Sequence, residues 1–135
     1  MANTSAPNGP QGYNPLEDPT YMSPDMRSFF KTRLNSILEK IITEEKDIRL
    51  DMVDYPASVP DNVDLGKLEE IKSQEFLDLE HEGELRREVE DALQRIEAGT
   101  YGYCQETGKP IGVKRLLAYP MARYIISIQQ NKENL

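Results

Sequence analysis

Three kinds of side chain in this sequence could take part in chemistry: a pair of aspartates at a proline-rich turn, one cysteine and one histidine. Asp61 and Asp64 stand in Val59-Pro60-Asp61-Asn62-Val63-Asp64, just ahead of a helical pattern. Asp61 is therefore suited to N-cap that helix, and Asp64 to lie in its first turn, where the helix dipole favours an acid. A carboxylate that caps a helix can also meet a partner. Asp51 and Asp54 add negative potential nearby. Cys104, the only thiol, excludes an intramolecular disulfide framework and fits a reducing compartment. With no resolving cysteine, it reads as a small buried hydrophobe and not as a redox sensor.

The elements that must position these groups follow from the hydrophobic pattern. The segment Asp54–Asp64 carries Pro56 and Pro60, which lack N–H groups and disfavour helix, so it reads as a reversal between two arms. Each arm runs for roughly thirty residues, and at about 1.5 Å per residue would hold the turn on the order of 45 Å from the other end. Ser23-Pro24-Asp25 supplies a hydroxyl N-cap, a proline at the first helical position and an acid in the first turn. Along the first arm Phe30, Leu34, Ile37, Ile41, Ile48 and Met52 have coiled-coil spacing, interrupted by Glu44 and Glu45. On the second, Leu85, Val89, Leu93 and Ile96 form a clean seam at the base, while Leu68, Ile71, Phe76 and Leu79 drift around the axis. Its many outward acids read as a solvated face.

Residues 1–20, rich in Asn, Pro, Gly and Ser, are expected to be a disordered tail. Gly99 is a candidate helix C-cap. Beyond it, Tyr101–Cys104 and Ile111–Val113 around a glycine-containing turn predict a short β-hairpin, and Pro120 predicts the start of a last helix carrying Met121, Tyr124, Ile125 and Ile128. The expected fold is mainly α: a long antiparallel coiled-coil hairpin (21–98, tip at 54–66) with a small globular knob (99–135) made of that β-hairpin and the C-terminal helix.

The chain has 135 residues and a formal net charge of −8, which argues against DNA or an anionic membrane as the main partner. An acidic chain suits a basic protein channel or a metal-bearing site. No stretch approaches the ~20 apolar residues of a membrane span and no signal pattern opens the chain, so a cytoplasmic location is expected.

The order of Tyr21-Met22-Ser23, long arm, Pro60-Asp61-Asn62-Val63-Asp64, long arm, Gly99-Thr100-Tyr101-Gly102-Tyr103-Cys104 and Ile111-Gly112-Val113-Lys114-Arg115-Leu116 resembles the DksA/TraR family of bacterial transcription factors, from about residue 20 to 130. The resemblance implies a monomer that binds RNA polymerase in its secondary channel without touching DNA, alters promoter-complex stability and catalyses nothing. It places Asp61 and Asp64 at the family's two tip aspartates, with Gly66 where the family usually has alanine.

The family's C-x2-C-x17-C-x2-C zinc pattern falls on Cys104, Thr107, Ile125 and Ile128. A hydroxyl and two isoleucines cannot replace thiolates, and adding His81 brings the ligands only to two. The resemblance therefore narrows to the single-cysteine branch common in alphaproteobacteria, with no cofactor. Ile125 and Ile128 are expected to turn inward with Ile111, Val113 and Leu116. The family's site for the alarmone ppGpp falls on His81, Leu85, Glu88, Tyr119 and Gln129, where a glutamate repels a pyrophosphate, so strong ppGpp dependence is not expected. Two other classes compete: a transcript-cleavage factor whose tip carboxylates hold Mg²⁺, and a purely structural coiled-coil tether.

Overall fold

The structure, a computed structural model, describes residues 12–58 and 65–134. It is mainly helical. Two long helices, α1 (Pro24–Ser58) and α2 (Leu65–Ala98), are followed by two short ones, α3 (Val113–Ala118) and α4 (Ile126–Glu133). Lys31 near the start of α1 bridges Glu97 near the end of α2 at 3.0 Å, the antiparallel pairing of a helical hairpin. Among the described residues no helix is long and apolar enough to cross a membrane.

The expected turn at 54–66 is narrower in the structure. Helix α1 continues through Asp54-Tyr55-Pro56-Ala57-Ser58, and Leu65 and Gly66 already belong to α2. Pro56 is third from the end of α1, so its missing N–H removes one hydrogen bond from the last turn only. The aspartates Asp61 and Asp64 lie outside the described residues.

The chain divides into two compact units, one joining the residues up to Ile37 with those from Val89 onward, the other Leu38–Glu88. In the first, Met26, Phe30 and Leu34 of α1 and Val89, Ala92 and Ile96 of α2 are buried together with Tyr101, Cys104, Ile111, Leu116 and Ala122. The Phe30 ring packs 5.0 Å from Phe29 and 5.8 Å from Tyr101. On α2 Ala92 is fully buried beside Val89 and Ile96, where the spacing predicted Leu93. Leu93 is only half-buried.

Residues 12–20, within the stretch expected as a disordered tail, are ordered against this unit. They include a single 3₁₀ turn, Pro15–Glu17, with Pro15 buried. Tyr13 packs 5.9 Å from Phe29 and donates to Asp18 Oδ2 at 2.8 Å; Ser23 donates to the same oxygen and caps α1 by accepting from Met26 N. Such a segment buries little aliphatic surface, and its order comes from rings and hydrogen bonds that composition does not reveal.

The predicted β-hairpin shrinks to one antiparallel bridge, Tyr103 with Pro110. Gly112, at φ 106°, ends the extended run, and the stretch expected as its second strand turns into α3. Pro120 does not open a helix. The Tyr101 hydroxyl donates to its carbonyl at 2.8 Å, Ile125 remains extended, and α4 begins only at Ile126.

In the second unit, Ile41 and Glu45 of α1 and Gly83 of α2 are buried. Of the residues that drift around the axis of the second arm, Ile71 and Phe76 are exposed and Leu79 is half-buried; Leu77 is exposed as well.

Candidate functional site

The knob positions matched to the zinc pattern are the best-defined candidate site. Cys104 is 3% exposed, and the backbone around it closes a tight turn: Cys104 N donates to Lys109 O at 2.8 Å and Gly108 N to Cys104 O at 2.9 Å. Burial pushes the thiol up, but the Thr107 hydroxyl and the backbone N–H groups of Ile125, Thr107 and Glu106 outweigh it and bring it down to about 7. Three of the four positions, Cys104, Thr107 and Ile125, thus still converge, with N–H and O–H donors at the sulfur. A cleft of about 590 Å³ opens beside them, lined by Gly99, Thr100, Tyr103, Cys104, Gln105 and Gly108.

Ile125 and Ile128 do not turn fully inward. Both are half-buried, as is Val113, whereas Ile111 and Leu116 are buried as expected. The reason is local: Ile125 is held extended ahead of α4, so its backbone faces the thiol, and the centre is filled by Tyr101, Leu116 and Ala122. Among the described residues no group of three or more His, Cys, Asp or Glu is placed to hold a metal ion.

Two residues that pattern reading missed hold the knob. Tyr21 donates to Gly102 O at 2.6 Å and accepts from Gly112 N at 3.0 Å, joining both sides of the bridge. Gly102 lies at φ 92°, and a Cβ there would stand 2.9 Å from Met22, so only glycine permits this approach. Arg95, 7% exposed, reaches Ala122 O and Met121 O, both at 3.4 Å, and lies 6.0 Å over the Tyr101 ring. Its own carbonyl accepts from Thr100 N and Tyr101 N just after Gly99, at φ 82°, ends α2. The helix-ending glycine was the available signal; the burial of Arg95 four residues before it was not.

In the other unit, the break at Glu44 and Glu45 is a polar layer. Glu45 Oε1 meets Arg86 Nε at 3.0 Å, and a Cβ on Gly83 would lie 3.8 Å from Glu45 Oε2. Next to it, burial first, then Glu44 and Glu45, push the Glu82 carboxyl up, against His81, which lowers it.

The positions matched to a ppGpp site divide between the units. His81, Leu85 and Glu88 belong to one, with His81 exposed; Tyr119 and Gln129 belong to the other, where they line a cleft of about 380 Å³ with Arg115, Ile126, Gln130 and Glu133. Gly66 is exposed in the first turn of α2.

With this geometry in view, known proteins give a consistent picture. Residues 99–124 match the family model described as a prokaryotic dksA/traR C4-type zinc finger, a range that stops just before Ile125 and Ile128. The chain is 31% identical over 121 residues to the RNA polymerase-binding transcription factor DksA of Caulobacter vibrioides, covering 90% of this chain and 85% of that one. With the protein of the same name from Escherichia coli K12 it shares 30% over 114 residues, 84% and 76% of the two chains. The solved structure of transcription factor DksA2 from Pseudomonas aeruginosa superimposes with a TM-score of 0.79 at 32% identity, covering 87% of this chain and 90% of that one.

Proposed function

The chain belongs to the DksA family of transcription factors, and on that premise we propose that it binds RNA polymerase and regulates transcription. The observation that carries this reading is the 31% identity, over 90% of the chain, to a relative named for RNA polymerase binding. The arms add a physical reason. Leu38–Glu88 carries sixteen Asp and Glu against seven Lys and Arg, a net −9, which complements a basic protein channel and repels nucleic acid.

On this reading a monomer works in the cytoplasm, entering the secondary channel of polymerase without contacting DNA. Asp61 and Asp64 approach the catalytic centre with Gly66 behind them, and the factor itself makes and breaks no bond. The zinc that the family's C4 pattern would hold does not fit the donors here, one thiol, one hydroxyl and two isoleucines. The knob is held by packing. Coupling to ppGpp is weak, because Glu88 repels a pyrophosphate and neither Tyr119 nor Gln129 brings a charge.

The test is run-off transcription with purified cognate polymerase, with and without the protein. A shortened promoter-complex lifetime is expected. An unchanged lifetime at saturating factor would sink the reading, and shortened transcripts from backtracked complexes would favour a cleavage factor.

A further inference from the structure

Residues 12–22 are fastened at two ends. At one end the Tyr13 ring packs on Phe29 of α1, and the Asp18 carboxylate gathers three donors: the Tyr13 and Ser23 hydroxyls on Oδ2, and Thr20 N on Oδ1 at 2.9 Å. At the other end the Tyr21 hydroxyl bonds Gly102 and Gly112, on the two sides of the Tyr103–Pro110 bridge, and its ring stands edge-on to Tyr103, 5.6 Å away. Tyr103 in turn lines the cleft beside Cys104. Between the two ends the segment is lightly held. Pro15 is buried, but Leu16, Glu17, Pro19 and Thr20 are exposed. Met22, which leads into the Ser23 cap, lies at φ 56°, the one non-glycine residue with positive φ among the described residues. A residue with a Cβ is disfavoured there, so letting go of the segment relieves strain.

We propose that residues 12–22 form a releasable strap: seated, it closes the knob; unseated, it opens the knob and leaves the long helices folded. A segment held by hydrogen bonds and little buried apolar surface belongs to the low end of local stability, where partial opening occurs without global unfolding. Release takes from the knob the tie across its bridge and the ring that supports Tyr103. It does not remove the buried residues of the hairpin base, Phe30, Leu34, Val89 and Ala92, and Ser23 can still accept from Met26 N to cap α1. The knob is thus controlled from a part of the chain some eighty positions away from it.

Cys104, the one thiol and 3% exposed, reports the state of the knob. The experiment is labelling of full-length native protein with a thiol reagent, each rate divided by that of the same variant unfolded in urea. Wild type is compared with Asp18→Ala, Tyr21→Phe, the two combined, and Lys31→Gln, a control on α1 outside the strap. The Asp18 side chain bonds Tyr13, Thr20 and Ser23, none of them in the knob, so it reaches Cys104 only through the strap. Asp18→Ala and Tyr21→Phe should each speed labelling about tenfold, and the double variant should add little to either, because both release the same unit. Tyr13→Phe, which keeps the ring on Phe29 and loses one hydrogen bond, should speed it by a smaller factor. Lys31→Gln should label like wild type, and the far-UV helical signal should stay constant throughout. Wild-type labelling in Asp18→Ala beside fast labelling in Tyr21→Phe would mean that Tyr21 acts alone, and overturns the strap. Effects that multiply in the double variant overturn it too. Fast labelling accompanied by loss of helical signal overturns the claim that the knob opens by itself.

Discussion

The Cys104 sulfur is surrounded by hydrogen-bond donors, although the other three positions matched to the family's zinc pattern carry no thiol. Burial alone would raise a thiol, but here N–H groups from Ile125, Thr107 and Glu106, with the Thr107 hydroxyl, favour the anion. The folded value of about 7 lies below the ordinary thiol value of 9.0. The stability this gives is therefore full above the unfolded value and lost as pH falls through about 7. Thermal melts should show stability rising between about pH 7 and 9, and Cys104→Ser should flatten that rise. A wild-type profile as flat as the variant's would show that the donors do not favour the thiolate. Tyr21 is a second anchor of this kind. Replacing it by Phe leaves the Gly112 N–H without its partner, while the Gly102 carbonyl keeps its bond from Ile111 N, at a cost of about 1–3 kcal/mol in chemical denaturation.

Between α1 and α2, the layer Glu45–Arg86–Gly83 decides what a broken heptad means. Glu45 has a side chain 6% exposed and Arg86 one 32% exposed, so the pair is largely withdrawn from water on the acid's side. Removing one partner strands a buried charge, whereas replacing both by apolar groups restores a seam. Arg86→Leu should destabilise by about 3 kcal/mol, while Glu45→Leu/Arg86→Leu should be near neutral. Equal losses for the single and double variants would show that the layer is not a coupled pair. In the knob, the same logic of burial ranks Leu116 above Ile125 and Ile128. Leu116→Ala, at a fully buried site, should cost about 2–5 kcal/mol, and Ile125→Ser, at a half-buried one, clearly less. Metal analysis should find well under one zinc per chain, and EDTA should leave the melting curve in place. Stoichiometric, tightly held zinc would mean that Cys104 shares a site across an oligomer.

For the chain acting on polymerase, affinity and effect belong to different parts. On the proposed reading the acidic arms supply affinity for polymerase and the tip aspartates supply the effect. Asp61→Asn with Asp64→Asn should leave polymerase binding nearly intact and abolish the change in promoter-complex lifetime; a double variant as active as wild type would remove the tip from the mechanism. Titrating ppGpp into the same reaction should shift the response by much less than tenfold, about 1.4 kcal/mol of coupling. A larger shift, lost on mutating His81 or Lys114, would reveal a phosphate site built from other residues.

Helix start and stop signals, the two long arms and the reversal between them were legible in residue order, because capping, proline chemistry and heptad spacing act over a few neighbours. Ser23 caps α1 and Gly99 ends α2 as their types require. The family was legible too, since its motif lies in the spacing of Pro60-Asp61, Tyr101–Cys104 and Ile111–Leu116. What the order of residues could not decide was who meets whom at distance. Ala92 is buried beside Val89 and Ile96 where Leu93 was expected, and Glu45 is buried with Arg86 and Gly83 across from it. Residues 12–20 are ordered because Tyr13 finds Phe29, and Tyr21 finds Gly102, some eighty positions away. Burial depends on the atoms that surround a side chain, and those are set by tertiary packing; hence α3 replaced a strand, and Ile125 lent its N–H to a sulfur instead of its side chain to the core.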